Sequence, residues 1–470
     1  MPFHRPSGEP RSGHRRPPGR VVPGPAAFVP PAAHRGDGSR ASGWGQHSGR
    51  PVDERSRTAG AARSGPLRGG RRPCGAAPPG RGRCARGRPR LQPTPPAWRD
   101  SEERRPVVTA PRPAVLLFPG QGAQQPGMGV GLYRAHPGFR TRMDEVLGLW
   151  RAHGFDLRAD WLAARTGPET DGPRTAQPLL FALDWAVGRT VLDAGVRPAA
   201  LLGHSVGEVA AATLAGLFDL TDSVALMADR ISQLDGTPPG GMLAVQASPD
   251  EVTPYTTDEV VVGAVNAPRQ VLLAGPEEGL RTAQQKLRAD GFTCRRARAL
   301  NPFHSPVLTE AALRALPLLA SVPVRRPRLV LHSAYEPGPL TYERARDPRF
   351  WALQPARPVL FGPALDLLLA EREVVLAEAG PGQGLTVLAR RHPRVARGGS
   401  RAVGLLLARP GTPEAEREAF DRALAELSDA PAEPAADATA QASRPVRAGL
   451  QAGLTRLRPG TGAPVPADSE

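Results

Sequence analysis

Lysine is almost missing from this chain. Lys286 is the single lysine among 470 residues, so nearly all of the 61 basic residues are arginine. That bias fits a GC-rich coding sequence, which enriches translated sequence in Arg, Pro, Gly and Ala whether or not it has a function. Cysteine is scarce as well, with Cys74, Cys84 and Cys294 the only three. An odd count without metal-ligand spacing argues against a disulfide framework and against a zinc site. A reducing cytosol is the expected compartment. No apolar run approaches the roughly 20 residues that a membrane-spanning helix needs, so no membrane partner is expected. The N-terminal segment is not expected to be a secretory signal either, because "VVPGPAAFVP" is short and broken by proline.

Glycine (52) and proline (55) are in excess, and apolar residues make up only 40% of the chain. The imbalance has a location. Residues 1–112 hold 23 Arg against 7 acidic residues, which leaves 38 basic and 38 acidic residues in the remainder. The net charge of +16 therefore belongs to the first quarter of the chain. Stretches such as "RPSGEPRSGHRRPPGR" cannot bury enough apolar surface to offset their ordering entropy, so residues 1–112 are expected to be disordered. Clustered arginine is the signature of a phosphate-binding arm. A solvated arm or a mis-assigned start codon explains the same composition without a function, and nucleic acid is not an expected partner.

Folding signals begin near Arg112. "AVLLFPG" (114–120) is a short apolar run ended by Pro-Gly, as in a buried parallel strand. Similar runs stand at 199–203, 328–334, 373–380 and 402–408. Helical patterns separate them, among them 176–195, with Leu180, Leu183, Trp185 and Val187 near one face. Strands alternating with helices predict a parallel sheet covered on both faces. From Gly241 to Arg298 the order changes to βαββαβ, that of a ferredoxin-like subdomain inserted into the larger unit. The expected organisation is thus a core of 113–240 and 300–410, an insert of 241–299, and a final segment 411–470. That segment opens with one amphipathic helix, on which Phe420, Leu424 and Leu427 share a face, and then continues as a disordered tail.

Chemistry concentrates in four places. "LLGHSVGEVAAATLAG" (201–216) matches G-x-S-x-G with Gly203, Ser205 and Gly207. There a strand ends, the chain turns sharply and a helix begins, leaving the serine oxygen exposed. The helix N-terminus directs free N–H groups and the positive end of its dipole at that oxygen. His204 is a poor base, because neighbouring side chains on a tight elbow diverge. His304, flanked by Pro302 and Pro306 in "LNPFHSPVLTEA", sits where the chain returns from the insert. Arg230 lies on the margin of an apolar helical stripe formed by Val224, Met227, Ile231 and Leu234. It either snorkels to water or binds a carboxylate through two parallel hydrogen bonds. The glycine-rich "FPGQGAQQPGMG" after the first strand leaves backbone amides accessible, Gln121 among them. It lacks the Gly-Lys-Ser/Thr of a phosphate loop.

These segments, in this order, resemble the malonyl-CoA:acyl carrier protein transacylase family, which includes the acyltransferase domains of polyketide synthases. "FPGQGAQ", "TAQPLLFALDWAV", "GHSVGEVAAATLAGLFDLTDSVALMADR", "AVNAPRQVLLAG", "FHSPVL" and "AGPGQGLT" carry the likeness, over roughly 114–407. The resemblance implies an α/β-hydrolase-like parallel core with an inserted ferredoxin-like βαββαβ subdomain. It implies Ser205 as nucleophile, His304 as base, the backbone amides of Gln121 and Val206 as oxyanion hole, and Arg230 as the partner of a malonyl carboxylate. Asn266 matches a residue near the substrate, and Leu360 matches the position whose main-chain carbonyl orients the histidine. The implied reaction moves a malonyl group from coenzyme A to the phosphopantetheine thiol of an acyl carrier protein, with no cofactor. Methylmalonyl is an alternative acyl group, since "NPFH" departs from the usual tetrapeptide at Asn301 and Pro302. Neither a ketosynthase-like segment before this region nor a carrier-like segment after it is read in the sequence, and a free-standing, monomeric, cytoplasmic enzyme of fatty-acid or polyketide synthesis is expected. A serine hydrolase using the same elbow is the main rival.

Overall fold

The computed structural model describes residues 112–428. The expected tails at either end lie outside the described residues, apart from Arg112.

Among the described residues ten strands build two sheets: β1 (Ala114–Phe118), β2 (Ala200–Gly203), β3 (Gly240–Val245), β4 (Val261–Ala267), β5 (Gln270–Pro276), β6 (Cys294–Arg296), β7 (Leu331–Ser333), β8 (Gly338–Pro339), β9 (Val375–Glu378) and β10 (Arg401–Gly404). The larger sheet runs β10-β9-β1-β2-β7-β8. Its pairings are parallel except the last, where β8 folds back on β7. β1, β2 and β9 are buried along their whole length. That is why they read as continuous apolar runs rather than alternating ones. The elbow helix Val206–Ala215 is buried throughout and packs on β1, β2 and β7, and the largely buried helix Pro173–Asp193 packs in turn against it.

The smaller sheet runs β4-β5-β3-β6 and is antiparallel throughout. Numbered within the insert, this is the order 2-3-1-4 of a ferredoxin-like unit, as the βαββαβ pattern requires. Its own core joins Leu243, Val245, Val271 and Leu273 to Leu280 and Leu287 of the helix Glu277–Ala289. The first insert helix is short, Pro249–Val252, closed by a reciprocal capping box between Ser248 and Glu251.

Two strands are shorter than the apolar runs suggest. The run 328–334 contributes only Leu331–Ser333, because Arg328 instead donates its amide to the Ala215 carbonyl at the end of the elbow helix. The run 402–408 leaves the sheet after Gly404, where Leu406 and Ala408 turn their carbonyls to the Gln383 and Gln125 side chains. The expected C-terminal helix spans Pro413–Ser428 and buries Phe420 and Leu427. Its buried Glu416 accepts the Leu132 and Gly411 amides.

One connection places the site. After the turn Gln354–Ala356, the chain runs beside β4, exchanging Val265 N–H to Val359 O (2.8 Å) and Val359 N–H to Gly263 O (2.9 Å). This links the insert to the core and brings the 354–357 carbonyls toward the carboxyl ends of β1, β2 and β7.

Candidate active site

Ser205 follows β2 by two residues and has φ 55° and ψ −118°, a positive-φ conformation uncommon for a side-chain-bearing residue. The flanking glycines explain how the turn closes. A Cβ on Gly203 would stand 2.2 Å from the Glu208 amide nitrogen, and one on Gly207 would stand 2.2 Å from the Phe118 carbonyl oxygen. Gly120 in the first loop is equally constrained, with its would-be Cβ 2.5 Å from the His204 carbonyl. The glycines thus let three backbone segments meet around one hydroxyl.

His304 also has a positive φ, 65°. Its amide donates to the Pro355 carbonyl (2.5 Å). Its Nδ1 lies 3.1 Å from the Gln354 carbonyl and 3.0 Å from the Arg357 carbonyl. Carbonyls only accept, so the proton sits on Nδ1 and the Nε2 lone pair is free. Nε2 lies 2.9 Å from Ser205 Oγ, the geometry in which the hydroxyl donates to the base. Burial lowers the His304 pKa to about 4, helped by the neighbouring His204 ring and the Arg230 charge and opposed by the two carbonyls. The ring is therefore neutral, and able to take a proton, throughout the neutral range.

The carbonyl predicted to hold this ring, that of Leu360, does not. Leu360 donates its amide to Ala334 (2.6 Å), and its carbonyl accepts from Ala364 as the helix Phe361–Glu371 begins. The helix start consumes that acceptor. The tight turn just before it supplies Gln354 and Arg357 instead.

Arg230 lies in the last turn of the helix Leu220–Gln233 and is half-buried. Its Nη2 donates to the Trp351 carbonyl (3.0 Å) and reaches Gln354 Oε1 at 3.5 Å. Among the described residues no carboxylate pairs with it, and neither Nη1 nor Nε has a hydrogen-bond partner. Burial pulls its pKa down, yet an arginine this far above neutrality keeps its charge. The result is a fixed guanidinium beside the base with donors to spare, a ready partner for an anionic group.

The Val206 and Gln121 amides make no hydrogen bond among the described residues. Val206 opens the elbow helix, whose N-terminal N–H groups are unpaired by construction. The Gln121 side chain is anchored by the Asp171 carbonyl (2.9 Å) and by Gln177 (3.2 Å), which holds its loop in place. Asn266 spends its Oδ1 on His204 Nε2 (2.9 Å). It therefore fixes the ring next to the serine, and His204 turns away from Ser205 as its place on the elbow requires.

Two residues at the site were not singled out from the sequence. Gln354 joins the base and the arginine, one through its carbonyl and the other through its side chain. Tyr335 is buried, with its ring 6.0 Å from that of His304. Its only signal was positional: it lies two residues past the end of β7, and in parallel sheets ligands gather at the carboxyl ends of strands. A cleft of about 560 Å³ lined by Gln124, Trp161, Asp171 and Arg298 adjoins the Gln121 loop, but neither Ser205 nor His304 lines it.

The sequence profile of the family described as acyl transferase domain matches residues 115–428. A phenolphthiocerol/phthiocerol polyketide synthase protein of Mycobacterium tuberculosis is 37% identical over 316 residues, which are 67% of this chain and 21% of that protein. Spectinabilin polyketide synthase system protein NorB of Streptomyces orinoci is 33% identical over 314 residues, 64% of this chain and 14% of that protein. The chain thus spans only a small part of the curated relatives it matches. Among solved structures, the acyltransferase domain from the second module of the salinomycin polyketide synthase superposes with a TM-score of 0.62 at 33% identity, covering 76% of this chain and 79% of that one. The acyl transferase domain of SpnD, in complex with 2-(pent-4-yn-1-yl)malonyl, gives 0.64 at 30% identity, covering 71% and 79%.

Proposed function

The chain belongs to the acyl transferase domain family, and from that premise we propose that it moves a malonyl-type group from coenzyme A to the phosphopantetheine thiol of an acyl carrier protein, through an ester on Ser205. The observation that carries this reading is the 2.9 Å contact between Ser205 Oγ and a His304 whose other nitrogen is held by carbonyls, beside a guanidinium with no carboxylate partner among the described residues.

In this mechanism His304 takes the Ser205 proton as the oxygen attacks the thioester carbonyl. The oxyanion forms against the Val206 and Gln121 amides, each such donor contributing about 3 kcal/mol. The CoA thiolate leaves with the proton from His304. The carrier thiol then gives its proton to the same ring and attacks the ester, so acylation and deacylation mirror each other. Arg230 pairs with the free carboxylate of the acyl group. The malonyl derivative bound to the acyl transferase domain of SpnD supports a dicarboxylic substrate. The chemistry requires only side chains and backbone amides of this chain, and no cofactor is proposed.

The serine hydrolase reading uses the same first half. It departs at deacylation, where water replaces the carrier thiol, and it has no use for Arg230. Mass spectrometry of the protein after exposure to malonyl-CoA is expected to find a malonyl ester on Ser205 that persists until a holo carrier protein is added. Rapid release of free malonate without a carrier would replace the transferase reading by the hydrolase one.

A further inference from the structure

Three neighbouring strands of the large sheet each deliver one residue at the carboxyl end: β1 leads to Gln121, β2 to Ser205, and β7 to Tyr335. The first two belong to the proposed chemistry. The third is not loosely placed. Ser333 Oγ donates to Glu208 Oε1 (2.9 Å) and the Ala334 amide donates to Glu208 Oε2 (2.8 Å), which ties the turn after β7 to the elbow helix three residues beyond the nucleophile. Ser333 Oγ in turn accepts the Tyr335 amide (3.0 Å) and the Glu336 amide (3.2 Å). One buried carboxyl thus fixes Tyr335 relative to Ser205.

The ring packs beside His304, 6.0 Å between centroids, and the side chain is 8% exposed. Ser205 and the Arg230 guanidinium are both close enough to act on its phenol, and His304, whose ring it packs against, is itself bonded to Ser205 Oγ. Burial, with the nearby Glu208, pushes the phenol well above its ordinary range, while Arg230 and Ser205 pull in the opposite direction. It is therefore a neutral donor at any working pH. The ring thus stands in the same neighbourhood as the serine, the histidine and the guanidinium.

We propose that Tyr335 is a specificity-determining residue of the acyl pocket: its ring limits the substituent carried between thioester and carboxylate, and its hydroxyl shares with Arg230 the hold on that carboxylate. This rests on the acyl-transfer reading above and adds to it the residue that sets which acyl groups fit.

The test measures kcat/KM for ester formation on Ser205 with malonyl-, ethylmalonyl- and acetyl-CoA, in the full chain and in Tyr335→Val and Tyr335→Phe. The valine variant opens the pocket and is expected to raise the ethylmalonyl-to-malonyl ratio at least tenfold. The phenylalanine variant keeps the bulk and is expected to lower malonyl about tenfold relative to acetyl, with the ethylmalonyl-to-malonyl ratio unmoved. Should the valine variant fail to fold, Tyr335→Leu supplies the smaller ring-free side chain for the same ratio. Ratios within twofold of the native protein in folded variants overturn the proposal while leaving acyl transfer standing. No ester with any of the three thioesters in the native protein overturns both.

Discussion

Ser205 is held by glycines two residues to either side, whereas His304 is held by carbonyl oxygens 50 and 53 residues further along the chain. Both residues carry a positive φ, 55° and 65°, so both halves of the pair store backbone strain. The serine's strain is fixed locally, by a strand, a turn and a helix contiguous in sequence. The histidine's is fixed by tertiary structure, through the turn Gln354–Ala356 and the residues after it, where Val359 pairs with β4. Damage to the serine side should therefore strike folding, and damage to the histidine side should strike chemistry.

The largest expected effect is on the histidine side. His304→Ala removes the proposed general base and should slow ester formation on Ser205 by about 100- to 10,000-fold. The native pH profile sharpens the same point. With the ring pKa at about 4, the base is neutral at every pH above that value, so kcat/KM should hold as pH falls and inflect near 4. An inflection near 6.5 would mean that the ring is not buried enough to lose its charge early, whereas a variant within tenfold of native would take the ring out of the reaction. Arg230→Ala comes next. A malonyl carboxylate left without its partner should cost about 2–5 kcal/mol in transition-state binding, while an acetyl group, with no carboxylate, should lose little. Equal losses for the two thioesters would mean that the guanidinium only packs against Trp351 and Gln354.

On the serine side, Gly207→Ala places a Cβ 2.2 Å from the Phe118 carbonyl oxygen and 2.6 Å from that of Pro119, both backbone atoms that cannot rotate away. Stability should fall by about 3 kcal/mol, measured by denaturant unfolding. Native-like unfolding with reduced ester formation would instead show that the elbow can open to relieve the clash, making it less rigid than its contacts imply.

The same asymmetry decides what the sequence could reveal. The parallel strands, the insert's βαββαβ order and the elbow all follow from contiguous residues: an apolar run, a glycine at each side of a serine, a proline or glycine at a helix end. Ser205, His304 and Arg230, which the structure brings together, stand in motifs that keep their order along the chain. The acceptors for His304 were not, because a carbonyl leaves no trace in side-chain chemistry. Leu360 matched the family position, yet its carbonyl was taken by the next helix. Tyr335 was invisible for a related reason. Its importance comes from Glu208, a residue that reads as an ordinary member of a strong helix until β7 is laid beside it.

Glu208 offers the smallest and most discriminating test, since it joins the local side to the distant one. It is fully buried, and burial raises its pKa to about 8 despite the Ala334 and Ser333 hydrogen bonds. Between pH 4.5 and 8 the unfolded chain has released this proton and the folded chain still holds it. Rising pH in that window therefore favours unfolding, and the contribution is lost as pH passes through the folded value. Glu208→Gln copies the neutral acid and cannot titrate. Its stability relative to the native protein should improve as pH is raised from 5 to 8, by at most on the order of 1 kcal/mol per pH unit. Unfolding curves at three pH values would read this directly. A difference that does not move with pH would mean that Glu208 is ionised when folded, and that its carboxylate, rather than a neutral acid, anchors the turn carrying Tyr335.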